Sequence, residues 1–372
     1  MAGIYIHIPF CKQACHYCNF HFSTTKKLLP QLVNAIIIEA SLQKNYISEM
    51  VDTIYFGGGT PSILSVSEID NILSALKNNF SISKQVEITL EANPDDINEE
   101  VLLQWKAIGI NRLSLGVQSF INEELVWMNR SHNAQQSLQS IEFIKKYFNN
   151  YSIDLIFGSQ LLTNEQWVEN IQTALSFHPP HISCYALTIE EKTVFGKHVA
   201  QKKLLNIDSD KQATQFEILM EELEVNGYQH YEISNYAKPS FESQHNSSYW
   251  KGKKYLGLGP SAHSFNGINR SWNISNNALY ISNIEQNILP QETETLNETQ
   301  KFNEYMMIRL RTSEGINLEF VKKNWNVETY QHVSQKIQKW VKINHLQITN
   351  QHLQLTKKGK LFADGIAADF FL

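Results

Sequence analysis

Cys11, Cys15 and Cys18 gather three of the chain's four cysteines into eight consecutive positions, within the stretch HIPFCKQACHYCNF. Their spacing is C-x3-C-x2-C, directly after the alternating run IYIHIP. Thiolates this close together suit an iron–sulfur cluster or zinc. A complete cubane takes four cysteine thiolates. Three thiolates would hold such a cluster with one iron left open, as a catalytic metal keeps a position for substrate. The same residues can also be read as a zinc site completed by His16 or His21. Cys184, inside the strand candidate HISCYAL, reads as core.

The elements that must position these thiols follow a repeating pattern. Short β-rich runs (IYIHI, TIYF, VEITLEA, RLSLGV, SIDLIFG, HISCYAL and then HYEISNY) alternate with stretches whose apolar residues recur at helical spacing. Ser67 and Asn98 are candidate helix caps, and Gly109 and Gly227 are candidate stops. Strand–helix repetition means parallel strands joined by right-handed crossovers. A partial (β/α) barrel is the leading expectation, with an open doubly wound sheet second. The cysteines then fall on the loop after the first strand, where barrels carry their chemistry. The pattern stops near residue 240. Residues 1–237 are expected to form the barrel and 238–297 a polar, glycine- and aromatic-rich connection. Residues 298–372 are expected to form an α+β, winged-helix-like domain of three helices and a hairpin.

Composition narrows the class. A chain of 372 residues with 42% hydrophobic content can bury a large core, and its mean hydropathy of -0.32 is that of a soluble protein. The net charge of -5 argues against general nucleic-acid binding. No apolar run reaches membrane-spanning length, which leaves only peripheral membrane contact. The N-terminus has no basic leader, so a cytoplasmic setting with reduced thiols is expected.

Two further stretches carry chemistry. Gly57, Gly58 and Gly59 follow a strand, where backbone can approach a ligand closely and offer its N–H groups; a tight βα turn is the plainer reading. Glu91 ends its strand, where an unpaired charge would be costly. A ligand or a salt bridge to Arg112 or Arg130 would satisfy it.

The cysteine spacing resembles the radical S-adenosylmethionine (SAM) superfamily, in which SAM chelates the open iron of a [4Fe-4S] cluster. YIHIPFC, YFGGGTPS, EANPDD, RLSLGVQSF, IDLIFG and LGLGPSAHSF, in that order, are similar to the oxygen-independent coproporphyrinogen III oxidase group nearly end to end. The resemblance implies that Cys11, Cys15 and Cys18 ligate the cluster. It implies that Gly58, Gly59 and Thr60 hold the methionine end of SAM and that Glu91 contacts SAM. Tyr5, Tyr17, Gln118, Arg130, Asp154, Ala186 and His263 would line the same site.

Within that group, the oxidases carry a fourth cysteine two positions past the third; here Phe20 stands there and cannot ligate iron. They also carry a longer N-terminal arm than the few residues preceding the first strand here. The stretch QHNSSYW matches H-N-x-x-Y-W, a signature similar to that of HemW-type heme chaperones. Its His245, Tyr249 and Trp250 become heme-binding candidates, since imidazole can ligate heme iron and aromatic rings can pack on the macrocycle. The plainer reading is that they pin a loop to the barrel. His263 is a second histidine candidate. Asn19 stands where these chaperones carry aspartate. The resemblance thus implies a heme chaperone that passes heme to acceptor hemoproteins, with cluster-dependent dimerization. The alternative is a radical SAM enzyme in which a 5′-deoxyadenosyl radical takes hydrogen from a tetrapyrrole.

Overall fold

Six strands follow one another through the first half of the chain: β1 (Ala2–Ile8), β2 (Val51–Gly58), β3 (Ile82–Ala92), β4 (Arg112–Gln118), β5 (Tyr151–Phe157) and β6 (His181–Ala186). The structure, a computed structural model, describes residues 2–372. The six strands pair in parallel, each beside its predecessor. A doubly wound sheet reverses its order in the middle, so this sequential order decides for the barrel-like architecture. Right-handed crossovers then put all the connecting helices on one face.

The strands are two-faced. Ile4, Ile6, Ile54, Phe56, Leu90, Leu113, Leu115, Ile153, Leu155 and Ile182 are fully buried in the core that the helices share. Each such side chain contributes about 1.5–3 kcal/mol relative to exposure. The alternate positions, in register across the sheet, are Tyr5, Tyr55, Thr89 and Arg112, and beside them Glu91, Ser114, Ser152 and His181. Parallel strands covered on both faces read as continuous apolar runs. A polar second face therefore marks the concave side as something other than core.

The remaining elements depart from the simple repeat. HYEISNY is a hairpin, β7 (Gln229–Glu232) and β8 (Asn235–Ala237), with β8 antiparallel to β6. Residues 238–297 are no mere connection. They form the helix Gln244–Trp250, then β9 (Lys254–Leu258) in parallel beside β1. After it come β10 (His263–Phe265), β11 (Asn269–Asn273), the helix Asn277–Glu285 and β12 (Gln291–Thr295). All twelve strands form one open sheet with β12 and β7 at its edges. Strands of three to five residues are too short to declare a period. Ser65 rather than Ser67 caps the helix Val66–Asn79, in a capping box with Glu68, while Asn98 caps Glu99–Ala107 as expected.

The C-terminal unit runs helix Glu298–Leu310, β13 (Ile316–Asn317), helices Leu318–Asn324 and Val327–Lys342, then β14 (Leu346–Thr349) and β15 (His352–Leu355). Its sheet order β13-β15-β14 and its own core around Phe302, Val333 and Leu353 make it winged-helix-like. The unit is fastened to the sheet at several points. The Ile233 N–H donates to the Arg311 carbonyl (3.0 Å) and the Ser313 N–H to the Tyr231 carbonyl (2.9 Å). Arg270 makes a two-pronged ion pair with Glu304 (2.5 and 2.8 Å). Among the described residues no helix is long and apolar enough to cross a membrane.

Candidate functional site

The loop after β1 is held from three sides. The Cys11 N–H donates to the Ser23 carbonyl (3.0 Å) and the His16 N–H to the Met128 carbonyl (3.0 Å), while the His16 carbonyl accepts from the Phe195 N–H (3.0 Å). Asn129 takes a hydrogen bond from the Gln13 amide (2.5 Å) and donates to the Ala14 carbonyl (2.7 Å). Lys12 bridges to Asp95 (2.8 Å) and to Asp96. This fixes the course of the loop, and its three thiols are free and partly exposed.

Arg130 donates to the Cys15 sulfur (3.3 Å). Burial pushes the Cys11 thiol up to about 11 and raises that of Cys18 as well. A metal reverses that, because a coordinating thiol is deprotonated outright. His16 is hydrogen-bonded to the Trp127 carbonyl (2.9 Å) and His21 to Asn277 (2.7 Å). Both imidazoles thus engage partners other than the thiols, and no three metal-ligating side chains among the described residues are grouped to hold a single ion.

The thiols line a cavity of about 560 Å³ at the C-terminal ends of the strands. Tyr17, Gly58, Gly59, Thr60, Glu91, Gln118, Arg130, Asp154 and Ala186 line it with them. Seven segments distant in sequence need not meet in one cavity, and the sheet brings them there. Asn93, Ser114 and Tyr185 line it too, though sequence reasoning passed over them. Asn93 lies inside EANPDD, and Tyr185 directly precedes Ala186.

The glycines act differently from expectation. The N–H of Gly59 donates to the Ile8 carbonyl (2.9 Å) and that of Thr60 to the Phe10 carbonyl (2.8 Å). These donors are therefore engaged within the protein and are not offered to a ligand. Side chains are excluded instead by close packing: a Cβ on Gly58, whose φ is 109°, would stand 2.6 Å from the His7 ring. On Gly59 it would stand 2.7 Å from the Phe10 oxygen.

Glu91 accepts the Tyr55 hydroxyl (2.7 Å), and burial pushes its carboxyl up to about 7 while that hydrogen bond opposes the rise. Neither arginine pairs with it. Arg130 turns to Tyr17 (3.1 Å), Asn93 (2.7 Å) and the Gly116 carbonyl (2.9 Å), leaving its Nε buried without a partner. Asp154 accepts from Ser114 (3.1 Å) and Ser152 (3.2 Å), and burial raises its carboxyl too. Two carboxyl groups in no ion pair, with the charge of Arg112 acting on both, share this cavity with the Arg130 guanidinium, an arrangement that suits a ligand carrying both a positive centre and a carboxylate.

Two expected members of the set lie elsewhere. Tyr5 and His263 line a second, adjoining cavity of about 680 Å³, between the sheet and the C-terminal unit. His263 sits on β10, and β9 and β10 extend the sheet beyond β1, away from β2–β6. Asn19 and Phe20 line both cavities.

Tyr249 and Trp250 line the second cavity, but His245 does not. His245 is completely buried, with its Nδ1 hydrogen-bonded to the Thr53 hydroxyl (2.8 Å) and its Nε2 to the Tyr249 hydroxyl (2.8 Å). Its N–H donates to Glu87 (3.1 Å) and its ring stacks on Tyr55, 5.0 Å between centroids. Burial, aided by the charge of Arg112, holds its pKa down to about 3. With both nitrogens engaged, this geometry leaves no lone pair for an iron. The helix Gln244–Trp250 plugs the concave face of the sheet, and the pinning role is the one His245 fills. Cys184 is buried in the core, as expected.

Comparison with known proteins extends this description. Residues 5–174 match the model of the Radical SAM superfamily, and residues 296–362 that of the HemN C-terminal domain. The chain is 32% identical to the heme chaperone HemW of Lactococcus lactis subsp. lactis (strain IL1403), over 99% of this chain and 97% of that one. It is 34% identical to the heme chaperone HemW of Bacillus subtilis (strain 168), over 85% of each. Among solved structures, the coproporphyrinogen III oxidase HemN of Escherichia coli, a radical SAM enzyme, shares its fold. The TM-score is 0.84 at 21% identity, covering 100% of this chain and 90% of that one.

Proposed function

Because the chain belongs to the HemW family of the radical SAM superfamily, we propose that it binds heme and delivers it to acceptor hemoproteins in the cytoplasm, carrying a [4Fe-4S] cluster and SAM. The observation that carries the cofactor part is the first cavity, which three free thiols line together with two buried carboxyl groups that make no ion pair. Cys11, Cys15 and Cys18 would hold three irons and SAM the fourth. Glu91 and Asp154 would receive the cationic centres of SAM, and the Arg130 guanidinium, which lines the same cavity, its carboxylate. The same guanidinium donates to the Cys15 sulfur at 3.3 Å and so holds that side chain in the cavity. When bound, such a cluster supplies the one-electron chemistry that can cleave SAM. Phe20, at the position where the oxidases carry a further cysteine, cannot take part in thiol chemistry, which supports delivery over turnover.

The test is anaerobic. Protein reconstituted with iron and sulfide is given one equivalent of heme, then mixed with a heme-free acceptor hemoprotein, and the Soret band is followed. Uptake followed by transfer, with SAM unconsumed, is the expected result. If heme is not taken up, and 5′-deoxyadenosine accumulates with coproporphyrinogen III instead, the protein is the radical enzyme. The intact cavity is the observation that keeps this second reading open.

A further inference from the structure

Resting on the heme-chaperone reading, we propose that heme is seated in the 680 Å³ cavity between the sheet and the winged-helix-like unit, with His263 as the imidazole that meets its iron. The volume falls in the range of about 300–1,000 Å³ typical of sites that enclose an organic ligand. Trp250, Tyr255 and Phe265 from one side and Tyr305 and Trp325 from the other give the cavity the flat apolar walls a macrocycle requires.

Three histidines line it, and hydrogen bonding separates them. His7 is bonded through Nδ1 to the Tyr5 hydroxyl (3.1 Å) and through Nε2 to the His21 carbonyl (3.1 Å). His21 is bonded through Nε2 to Asn277 (2.7 Å). His263 is exposed on β10, and its ring has no hydrogen-bond partner among the described residues. Of the three, His7 has both ring nitrogens engaged and His21 one, so only the His263 ring is free to turn toward an iron without giving up a hydrogen bond. Lys253, exposed and in no ion pair among the described residues, stands on the same lining to receive a propionate. Arg270 is already held by Glu304. Phe20, 71% exposed, separates this seat from the cysteine cavity, so heme would lie against the loop that carries the cluster.

The test is an anaerobic heme titration of the full-length, reconstituted protein followed by Soret absorbance. The wild type is compared with His263→Gly and with Ile308→Trp, which fills the cavity from the C-terminal side. Far-UV circular dichroism checks that both variants fold. We expect His263→Gly to weaken binding at least tenfold and to shift the Soret band, and free imidazole to restore it. Ile308→Trp should cut the stoichiometry well below one. An unchanged spectrum in His263→Gly overturns the ligand, and full uptake by Ile308→Trp overturns the seat; in either case wild-type uptake leaves the chaperone reading standing. A wild type that takes up no heme removes that reading itself, and this proposal with it.

Discussion

His245 is hydrogen-bonded through both ring nitrogens and sealed under the sheet, so its imidazole is neutral in the folded protein. In the unfolded chain it titrates near pH 6.5; in the fold, burial lowers this to about 3. The folded-state value is depressed, so the stability this residue contributes is complete above about pH 6.5 and is lost as pH falls toward 3. Between pH 7.5 and 5.5 the loss is on the order of 1 kcal/mol. The penalty of His245→Gln, measured by urea unfolding, should therefore be smaller at pH 5.5 than at pH 7.5 by about that amount. An equal penalty at both values would mean that the ring titrates in the fold as it does in the unfolded chain. Cys15 offers a second test at this scale. Cys15→Ala removes one of the three thiolates and leaves the Arg130 guanidinium without its sulfur partner. Iron content and visible charge-transfer absorbance after reconstitution should collapse, and a variant that keeps a full cubane would contradict the ligand set.

The cysteine loop gets its shape from an element well removed in sequence, the turn at 127–130. Asn129, at φ 58°, both accepts from Gln13 and donates to the Ala14 carbonyl. Asn129→Ala removes both bonds and puts a less tolerant residue in the left-handed region, costing about 1–2 kcal/mol of local order. The prediction is faster iron release to a chelator from reconstituted protein, with the far-UV spectrum unchanged; an unaltered release rate would mean that the clamp is idle. Such a contact is invisible in the sequence, because nothing local pairs residue 14 with residue 129. What the sequence does carry is periodicity and spacing. The six parallel strands and their helices announce themselves through alternation, and the cysteines through C-x3-C-x2-C. The short strands β9–β12 lack a readable period, so the segment that holds them looked like a connection. Strand order is equally unreadable, and it is strand order that moves His263 from the first cavity to the second. A motif such as H-N-x-x-Y-W names residues without saying which way they face, and here its histidine faces inward.

At the scale of the whole molecule, the second cavity exists only because two units with separate cores are fastened together. The fastening is polar and distributed. Besides the Arg270–Glu304 pair, Arg311 lies over the Trp250 ring at 5.6 Å, and the Lys360 ammonium meets the His230 ring at 2.8 Å. Contacts of this kind couple domains when several act together, since each alone is worth only about 0.5–1 kcal/mol at an exposed site. The two cores should therefore unfold in one calorimetric transition. A ligand held between them stabilises both at once, by about 2.7 kcal/mol at a hundredfold excess over its dissociation constant. Heme at that excess should raise the single transition by several degrees without splitting it. Two resolved transitions, of which heme moves only one, would show that the ligand belongs to one unit and that the cavity between them is not its seat. The same scan on Trp250→Ala separates fastening from binding. Loss of the ring under Arg311 should lower the transition in heme-free protein and reduce the heme-induced rise, since Trp250 belongs both to the joint and to the wall of the cavity.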